Sequence, residues 1–520
     1  MNHSRIMSAL LVGLAAVILL FGRAPSHSND FCDPDVAQMA YAADDLLAGG
    51  VIYENCVETK PPGTYLVFAA AFKLFGRSVR PVYLLATALH LLTLLLLALV
   101  AWRAAGPVAG VGTAWFYAAL ALTVGASGNC PNHETWMTFP LAGALALLLA
   151  ARDRARAWHA AVVGLLLGTA WLMKQQAAAF VLAAGAWLAL ERPTDRRRLA
   201  RQFAWLALGG LAPLVVTALA WWAKGGLALM IHDLRPGRLG SYLGAAPLGD
   251  IVSWALRRGA THLQAAWPAY LAVAGGVVAW RRGHDERRTM ARLLIFLAAA
   301  GLAVAAGTRF FSHYFIILAA PLAVAGGFGA ALTARLLPRR VWIVAAALGL
   351  AATLFGVRME LREAALVVAG HDIDSPALAA FVSRDLDLEN RRTDREHQRL
   401  GHYVRENTRP DEPIYVWPYA PQIYFWAQRR APTKYYCYFD LAVGLPTSRG
   451  PWHVVVDPFI EKNRRDLLAD LAGDPPRFVI FPRAPQAWDK PFEQLAAWVT
   501  RWYAIDPQAP GDNLLVYRKP

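Results

Sequence analysis

Long apolar runs recur along the chain, and they limit its fold more than any other feature of the sequence. Each is close to the roughly 17 to 25 residues that a helix needs to cross a bilayer. The chain is 56% hydrophobic and 17% charged, which is typical of membrane proteins rather than of soluble domains. The sequence therefore predicts a polytopic α-helical membrane protein with about eleven spans, at 6–22, 81–102, 107–127, 135–151, 158–173, 176–190, 203–222, 262–280, 293–307, 314–334 and 341–357.

Arginine clusters separate these runs and fall in every second loop. They comprise Arg103; Arg152, Arg154 and Arg156; Arg192, Arg196, Arg197, Arg198 and Arg201; Arg281, Arg282, Arg287, Arg288 and Arg292; and Arg335, Arg339 and Arg340. By the positive-inside rule these loops face the cytoplasm, so the outer segments are 23–80, 128–134, 223–261, 308–313 and everything after 357. The loop 223–261 is an exception, because it is basic as well. The net charge of +15 is largely explained by orientation, and no nucleic-acid partner is predicted, since no basic-aromatic RNA or DNA motif occurs.

The four cysteines, Cys32, Cys56, Cys130 and Cys437, all fall on the predicted outer face, which fits an oxidising compartment. Four cysteines allow three pairings. One hypothesis pairs Cys32 with Cys56 inside the first outer loop, and Cys130 with Cys437. The other leaves some of the four as free buried thiols.

The sequence changes character after the last apolar run. Short β-branched and aromatic runs such as EPIYVW, WHVVVD and RFVIFP alternate there with helical stretches near 390–407 and 491–503. About 160 residues are enough for a core of their own. We therefore predict a transmembrane domain at 1–357 and an extracytoplasmic α/β domain at 358–520.

The first outer loop, 23–80, combines carboxylates with a cation next to an apolar segment. Asp33 and Asp35 precede Lys60, which stands directly before two prolines and an apolar stretch. At a lipid boundary, a carboxylate is suited to take a proton from an acceptor hydroxyl, and a lysine is suited to bind a phosphate. The Asp33-Pro34-Asp35 arrangement would also suit a divalent cation, although the lysine can supply the positive charge alone.

Residues 31–76 resemble the GT-C glycosyltransferases that use polyprenyl-phosphate sugars, which include aminoarabinose transferases and protein mannosyltransferases. The shared pattern is an acidic residue, a short helix ending in Gly-Gly or Gly-Asp, a tyrosine, Lys-Pro-Pro and an apolar stretch ending in Leu-Phe-Gly. Here it consists of Asp35, Gly49, Gly50, Tyr53, Lys60, Pro61, Pro62, Leu74, Phe75 and Gly76. Weaker matches are GNCPNHETWMTFP, GTAWLMKQQAA, TRFFSHYFIILAAPLA and residues 401–432.

The resemblance implies a GT-C fold and transfer of one sugar, with inversion, from a polyprenyl monophosphate to a cell-envelope acceptor. That acceptor would be a lipid such as lipopolysaccharide, a glycan or a protein, at the periplasmic face of a bacterial inner membrane. Spacing back from Gly49 makes Asp35 the match for the family's catalytic aspartate, with Lys60 on the donor phosphate. The sequence departs from the pattern at Met39, where an aromatic residue is common, and Asp33 stays an alternative base. No nucleotide-binding glycine loop is present, which agrees with a lipid donor, and no cofactor is required.

Four charged residues near the ends of other predicted spans are further candidates. Glu134 is either a second acid that positions the acceptor or sugar, or a carboxylate favoured by a helix N-terminus. Lys174 lies in an apolar segment, where a charge is costly, and it either contacts the lipid phosphate or extends to the interface. Arg309 and His313 flank an outer loop, where cations would stabilise a leaving phosphate. For His313 a packed, hydrogen-bonded histidine is the alternative.

Three other functions stay open for this sequence. A transporter or lipid flippase would have such spans, but internal repeats or charges within several helices would be expected. An O-antigen polymerase or ligase would place a large outer loop between spans rather than a domain at the end. A non-catalytic accessory subunit would tolerate the loss of both Asp33 and Asp35.

Overall fold

The computed structural model describes most of the chain in side-chain detail. The described residues are 3–56, 58–151, 156–191, 195–235, 247–280, 284–372, 374–378, 386–437, 441, 443–447, 450–455, 458–484 and 491–520. By their contacts, the residues form two compact units. The first unit comprises Met1–Ser28, Arg80–Thr217 and Trp254–Phe381, and the second comprises Asn29–Val79, Ala218–Ser253 and Val382–Pro520. The predicted domain division at 357 stays a prediction.

Helices account for every apolar run of the sequence. Their bounds are α1 His3–Gly22, α2 Pro34–Leu47, α3 Gly63–Phe75, α4 Arg80–Ala105, α5 Pro107–Leu122, α6 His133–Ala151, α7 Ala157–Met173, α8 Ala178–Leu190, α9 Arg196–Ala223, α10 Leu227–Leu234, α11 Leu248–Ala279, α12 His284–Ala306, α13 Ala319–Ala334 and α14 Arg339–Gly356. Short 3-10 helices lie at Ala24–His27, Val124–Ala126, Gln175–Ala177 and Ser312–Leu318. In the described part of the chain, 7 helices are long and apolar enough to cross a membrane. The polytopic α-helical fold is therefore confirmed, while the count of eleven spans stays a prediction.

Small residues let helices of the first unit approach closely. Gly327 in α13 faces α5, where a Cβ on this glycine would lie 2.3 Å from Thr113 Oγ1 and 2.5 Å from the carbonyl oxygen of Ala109. In membranes, helices associate by packing and not by exclusion of water, so such close backbone contacts contribute much of their attraction. The glycine thus fixes how α5 and α13 pack.

The residues after α14 form further helices and strands. The helices are α15 Arg358–Val368, α16 Leu386–Glu406, α17 Pro421–Ala427, α18 Pro458–Gly473 and α19 Glu493–Trp502. The strands are β1 Ile414–Val416, β2 Val443–Thr447, β3 Gly450–Val455, β4 Phe478–Pro482, β5 Ala504–Ile505 and β6 Leu514–Arg518. One sheet has the order β1-β4-β6-β5, with β1 parallel to β4 and the other neighbours antiparallel, and β2 and β3 form a separate antiparallel pair. Tyr415 and Val479 of this sheet pack with Leu467 of α18 and Leu495 of α19 in one buried core.

The first outer loop packs against α16 and α17 within the second unit. The Asp394 carboxylate in α16 accepts hydrogen bonds from the backbone N–H of Phe31 and from the Trp426 indole, both at 3.0 Å. The backbone N–H of Ala431 donates to the Tyr41 hydroxyl of α2 at 2.9 Å. These contacts hold the start and the middle of the loop on residues that lie almost 400 positions later in the chain.

The cysteines differ from the predicted pairing. Cys32 and Cys130 are disulfide-bonded, whereas Cys56 and Cys437 are buried thiols outside any disulfide, so the pairs Cys32–Cys56 and Cys130–Cys437 are wrong. Burial raises the pKa of the Cys56 thiol well above its usual range, and the Asp45 carboxylate raises it further. Because the thiolate is the reactive species in disulfide formation, this environment keeps Cys56 unreactive.

Candidate active site

The two aspartates at the start of α2 have different local roles. Asp33 is the N-cap of the helix, and its Oδ1 accepts a hydrogen bond of 2.8 Å from the backbone N–H of Asp35. Pro34 takes the first helical position, which needs no N–H donor. Asp35 lies in the first turn, where the helix dipole favours a negative charge. Asp33 therefore holds the helix end, and Asp35 directs its carboxylate to other side chains.

A buried glutamate that sequence reasoning missed organises the lysine. The Glu58 side chain is only 4% exposed, and its Oε1 accepts from Lys60 Nζ at 3.2 Å and from the Lys60 backbone N–H at 3.2 Å. Its Oε2 accepts from the Tyr65 hydroxyl and, at 2.8 Å, from Gln38 Nε2. A carboxylate that accepts from donors on both oxygens is held in one orientation, and it holds the ammonium beside it.

Tyr53 contacts the backbone of the same lysine. Its hydroxyl donates a 2.8 Å hydrogen bond to the carbonyl oxygen of Lys60. Tyr53 has φ +80°, a conformation that bulky residues rarely adopt. Such strained residues concentrate at functional sites, where the surrounding structure compensates for them.

Tyr419 connects the acidic start of α2 to this lysine network. Its hydroxyl lies 2.6 Å from Asp35 Oδ1 and 2.6 Å from Gln38 Oε1. Gln38 is one turn after Asp35 on α2 and bridges to Glu58 by its amide nitrogen. Asp35, Tyr419, Gln38, Glu58 and Lys60 thus form one continuous polar chain, which lies wholly within the second unit.

A second charged cluster lies in the first unit. Lys174 directly follows α7, and its ammonium forms an ion pair with Glu134 in the first turn of α6, while His313 Nε2 lies 3.8 Å from Glu134 Oε1. The Lys174 ammonium also lies 4.2 Å from the centre of the Tyr314 ring, a cation–π contact. The structure therefore brings together three of the four predicted residues of this group, but their roles stay predictions.

Arg309 lies in a tightly bent segment before the 3-10 helix. Its guanidinium is 5.7 Å from the centre of the Trp254 ring, and the residue is 4% exposed. On either side, Thr308 has φ +52° and Phe310 has φ +50°. A positive φ is especially unfavourable for a β-branched threonine, so this segment is held by its surroundings in a strained form.

The predicted divalent cation at Asp33 and Asp35 stays untested. Within the described ranges no group of three or more His, Cys, Asp or Glu side chains is placed to hold a metal ion. Asp33 is already engaged as a helix cap.

The fold places this chain in a class of membrane proteins. This is a multi-pass membrane protein with the GT-C glycosyltransferase fold, as the sequence predicted. Residues 59–222, which include Lys60, Glu134 and Lys174, match the family described as dolichyl-phosphate-mannose-protein mannosyltransferase. No curated protein sequence matches the chain.

Three crystal structures show the same fold over nearly the whole chain. ArnT from Cupriavidus metallidurans bound to undecaprenyl phosphate has a TM-score of 0.60 at 14% identity, covering 98% of this chain and 97% of that chain. The same protein in the apo state has a TM-score of 0.57 at 16% identity, covering 99% and 98%. An oligosaccharyltransferase from Archaeoglobus fulgidus, tethered with an acceptor peptide, has a TM-score of 0.51 at 13% identity, covering 99% and 74%.

Proposed function

We propose that this protein is an integral-membrane glycosyltransferase that moves a sugar from a polyprenyl-phosphate donor to a cell-envelope acceptor. The observation that carries the proposal is the polar chain from Asp35 to Lys60, in which a carboxylate and an ammonium belong to one hydrogen-bonded network. The name of the matching family and the undecaprenyl phosphate bound to ArnT support a lipid-phosphate donor. We further propose that the reaction takes place on the periplasmic face of a bacterial inner membrane.

The proposed step is an inverting displacement. The acceptor oxygen forms a bond to the anomeric carbon while its proton passes to Asp35. The bond between that carbon and the phosphate oxygen breaks, and its electron pair leaves with the phosphate. Asp35 acts as general base, and Lys60 balances the charge that grows on the leaving phosphate.

The ion pair with Glu58 is compatible with this role of Lys60. An ammonium has three N–H donors, so it can keep Glu58 and donate to a phosphate oxygen at the same time. The Lys60 side chain is 23% exposed, against 4% for Glu58, so solvent and a ligand reach the lysine more readily than the glutamate. Lys174, Arg309 and His313 stay further proposed contacts of the donor phosphate, and Glu134 a proposed second acid.

Transfer in detergent tests the donor class directly. Purified protein is mixed with an envelope lipid fraction as acceptor and either a polyprenyl-phosphate sugar or the same sugar on a nucleotide. We expect release of polyprenyl phosphate and a glycosylated acceptor only with the lipid donor, both followed by mass spectrometry. Transfer from the nucleotide sugar alone would contradict the proposal, and so would movement of an intact lipid donor across vesicles without any release, which is the flippase alternative.

A further inference from the structure

The Tyr419 hydroxyl has two acceptor oxygens within hydrogen-bonding distance but only one hydrogen to donate. The hydroxyl lies 2.6 Å from two oxygen atoms, Asp35 Oδ1 and Gln38 Oε1, and both distances are typical of strong O–H···O hydrogen bonds. A phenol has a single hydrogen to donate. With Asp35 ionised, the hydroxyl therefore satisfies only one of these two acceptors at a time.

The orientation of Gln38 is set by its other neighbour. Gln38 Nε2 donates to Glu58 Oε2 at 2.8 Å, and Glu58 is otherwise surrounded by donors from Lys60 and Tyr65. Turning the amide would place its oxygen against the glutamate carboxylate, which is repulsive. The carbonyl oxygen of Gln38 is therefore fixed toward Tyr419, where it can accept a hydrogen bond from the Tyr419 hydroxyl.

Both contacts are satisfied at once when Asp35 carries a proton. The Asp35 carboxyl then donates to the Tyr419 oxygen, and the Tyr419 hydroxyl donates to Gln38. When Asp35 is ionised, the same hydroxyl turns to the carboxylate and orients it. The hydrogen bonds among Asp35, Tyr419 and Gln38 thus have two arrangements. One suits the ionised base before reaction, and the other suits the base that has taken the acceptor's proton.

We propose that Tyr419 is a positioning residue for Asp35, which orients the ionised carboxylate and then accepts a hydrogen bond from it once it is protonated. The proposal rests on the proposed function, in which Asp35 is the base. Tyr419 lies between β1 and α17, so a residue that follows β1 would act on the chemistry of the first outer loop through Asp35.

The electrostatic surroundings keep Tyr419 in its neutral form. Burial raises the pKa of the Tyr419 hydroxyl well above its usual range, and the Asp35 carboxylate raises it further. Electrostatic interactions with Cys437 and Tyr436 also raise the pKa of Tyr419, and burial raises the pKa of Tyr436 as well. Tyr419 therefore keeps its hydrogen near neutral pH and redirects it rather than releasing it.

The pH dependence of transfer tests the proposal with two substitutions of opposite sign. Tyr419→Phe removes a donor from the ionised carboxylate, so we expect kcat to fall on the order of 10-fold and the acidic limb of the pH profile to move to higher pH. Gln38→Met removes the competing acceptor, so the Tyr419 hydroxyl donates to Asp35 alone. This stabilises the ionised Asp35 carboxylate, and the acidic limb of the pH profile should move to lower pH. General loosening of the site would not shift the limb in opposite directions.

Tyr403→Phe is the matched control. The Tyr403 hydroxyl donates to Asp506 Oδ2 at 2.9 Å in the same unit, so the substitution removes the same kind of hydrogen bond away from the proposed site. We expect its pH profile to match the wild type. A Tyr419→Phe protein with wild-type kcat and an unshifted acidic limb would overturn the proposal.

An infrared titration separates this proposal from the proposed function. The pH-dependent carboxyl band that is lost in Asp35→Asn reports the protonation of Asp35 without any substrate. Its midpoint should rise in Tyr419→Phe and fall in Gln38→Met. If these shifts occur in a protein that transfers no sugar, the proposed function is wrong and the role of Tyr419 toward Asp35 stands; if neither shift occurs, the Tyr419 proposal is wrong.

Discussion

Lys60 is held from two directions before any substrate arrives. Glu58 holds its ammonium, and the Tyr53 hydroxyl holds its backbone carbonyl. A charged group that is already oriented loses little conformational freedom when it binds a ligand, so more of the interaction energy appears as affinity. The cation of the proposed donor site is therefore preorganised.

Substitution of Lys60 separates charge from general packing. Lys60→Ala should weaken binding of a polyprenyl-phosphate sugar on the order of 10-fold or more and also slow transfer, because a charge-assisted contact to the phosphate is lost. Lys60→Arg should keep part of both. Lys73→Ala, at an exposed lysine in the last turn of α3, is the control and should change neither. Unchanged donor binding in Lys60→Ala would exclude Lys60 from the phosphate site.

The cysteines make a prediction that needs no substrate. Peptide mapping without reductant should find Cys32 and Cys130 each in a disulfide and should find Cys56 and Cys437 in their reduced thiol form. Because both reduced thiols are buried and the pKa of Cys56 is raised, a maleimide should label them only after denaturation. Rapid labelling of Cys56 in the folded protein would contradict this environment.

Sequence reasoning marked the candidate residues that stand out in a local pattern. Asp33, Asp35 and Lys60 stand out because charges next to an apolar segment are rare. Glu58 and Gln38 had weaker local signals, two positions before Lys60 and one helical turn after Asp35. No local signal connected Tyr419 with Asp35, because the two residues lie 384 positions apart in the chain. Tertiary contacts of this kind depend on the whole fold.

The helices were predictable for the same kind of reason. An apolar run of sufficient length can satisfy its backbone hydrogen bonds in a bilayer only as a helix, so the fold class follows from composition. The strained turn at Thr308 and Phe310 was not predictable, since its positive φ values are imposed by packing. The close approach of α5 and α13 likewise depends on which face each helix presents.

Gly327 tests this helix packing. Gly327→Ala places a Cβ against the backbone oxygen of Ala109 and the Thr113 hydroxyl, and overpacking of this kind typically costs about 1–3 kcal/mol. We expect a lower thermal unfolding temperature in detergent. Gly301→Ala in α12 is the control, because nothing lies within 4 Å of its added Cβ. Equal stability of the two variants would show that α5 and α13 are not fixed by this contact.

The orientation of the whole molecule in the membrane depends on the arginine-rich loops. A reporter that is active only in the periplasm should work when fused after residue 357 and fail when fused after Arg198, because the positive-inside rule holds that loop in the cytoplasm. The result is read as reporter activity in intact cells. The reverse pattern would place the first outer loop, and the proposed site with it, on the cytoplasmic side of the membrane.

In the proposed mechanism Asp35 takes the acceptor's proton while Asp33 only caps the helix, and two isosteric substitutions test these separate roles. Asparagine caps a helix about as well as aspartate, so Asp33→Asn should keep α2 and most of the transfer activity. Asp35→Asn removes the basic oxygen and should lower the transfer rate by about 100-fold or more while donor binding persists. Full transfer by Asp35→Asn together with loss in Asp33→Asn would move the base two residues upstream, and full transfer by both variants would contradict the mechanism.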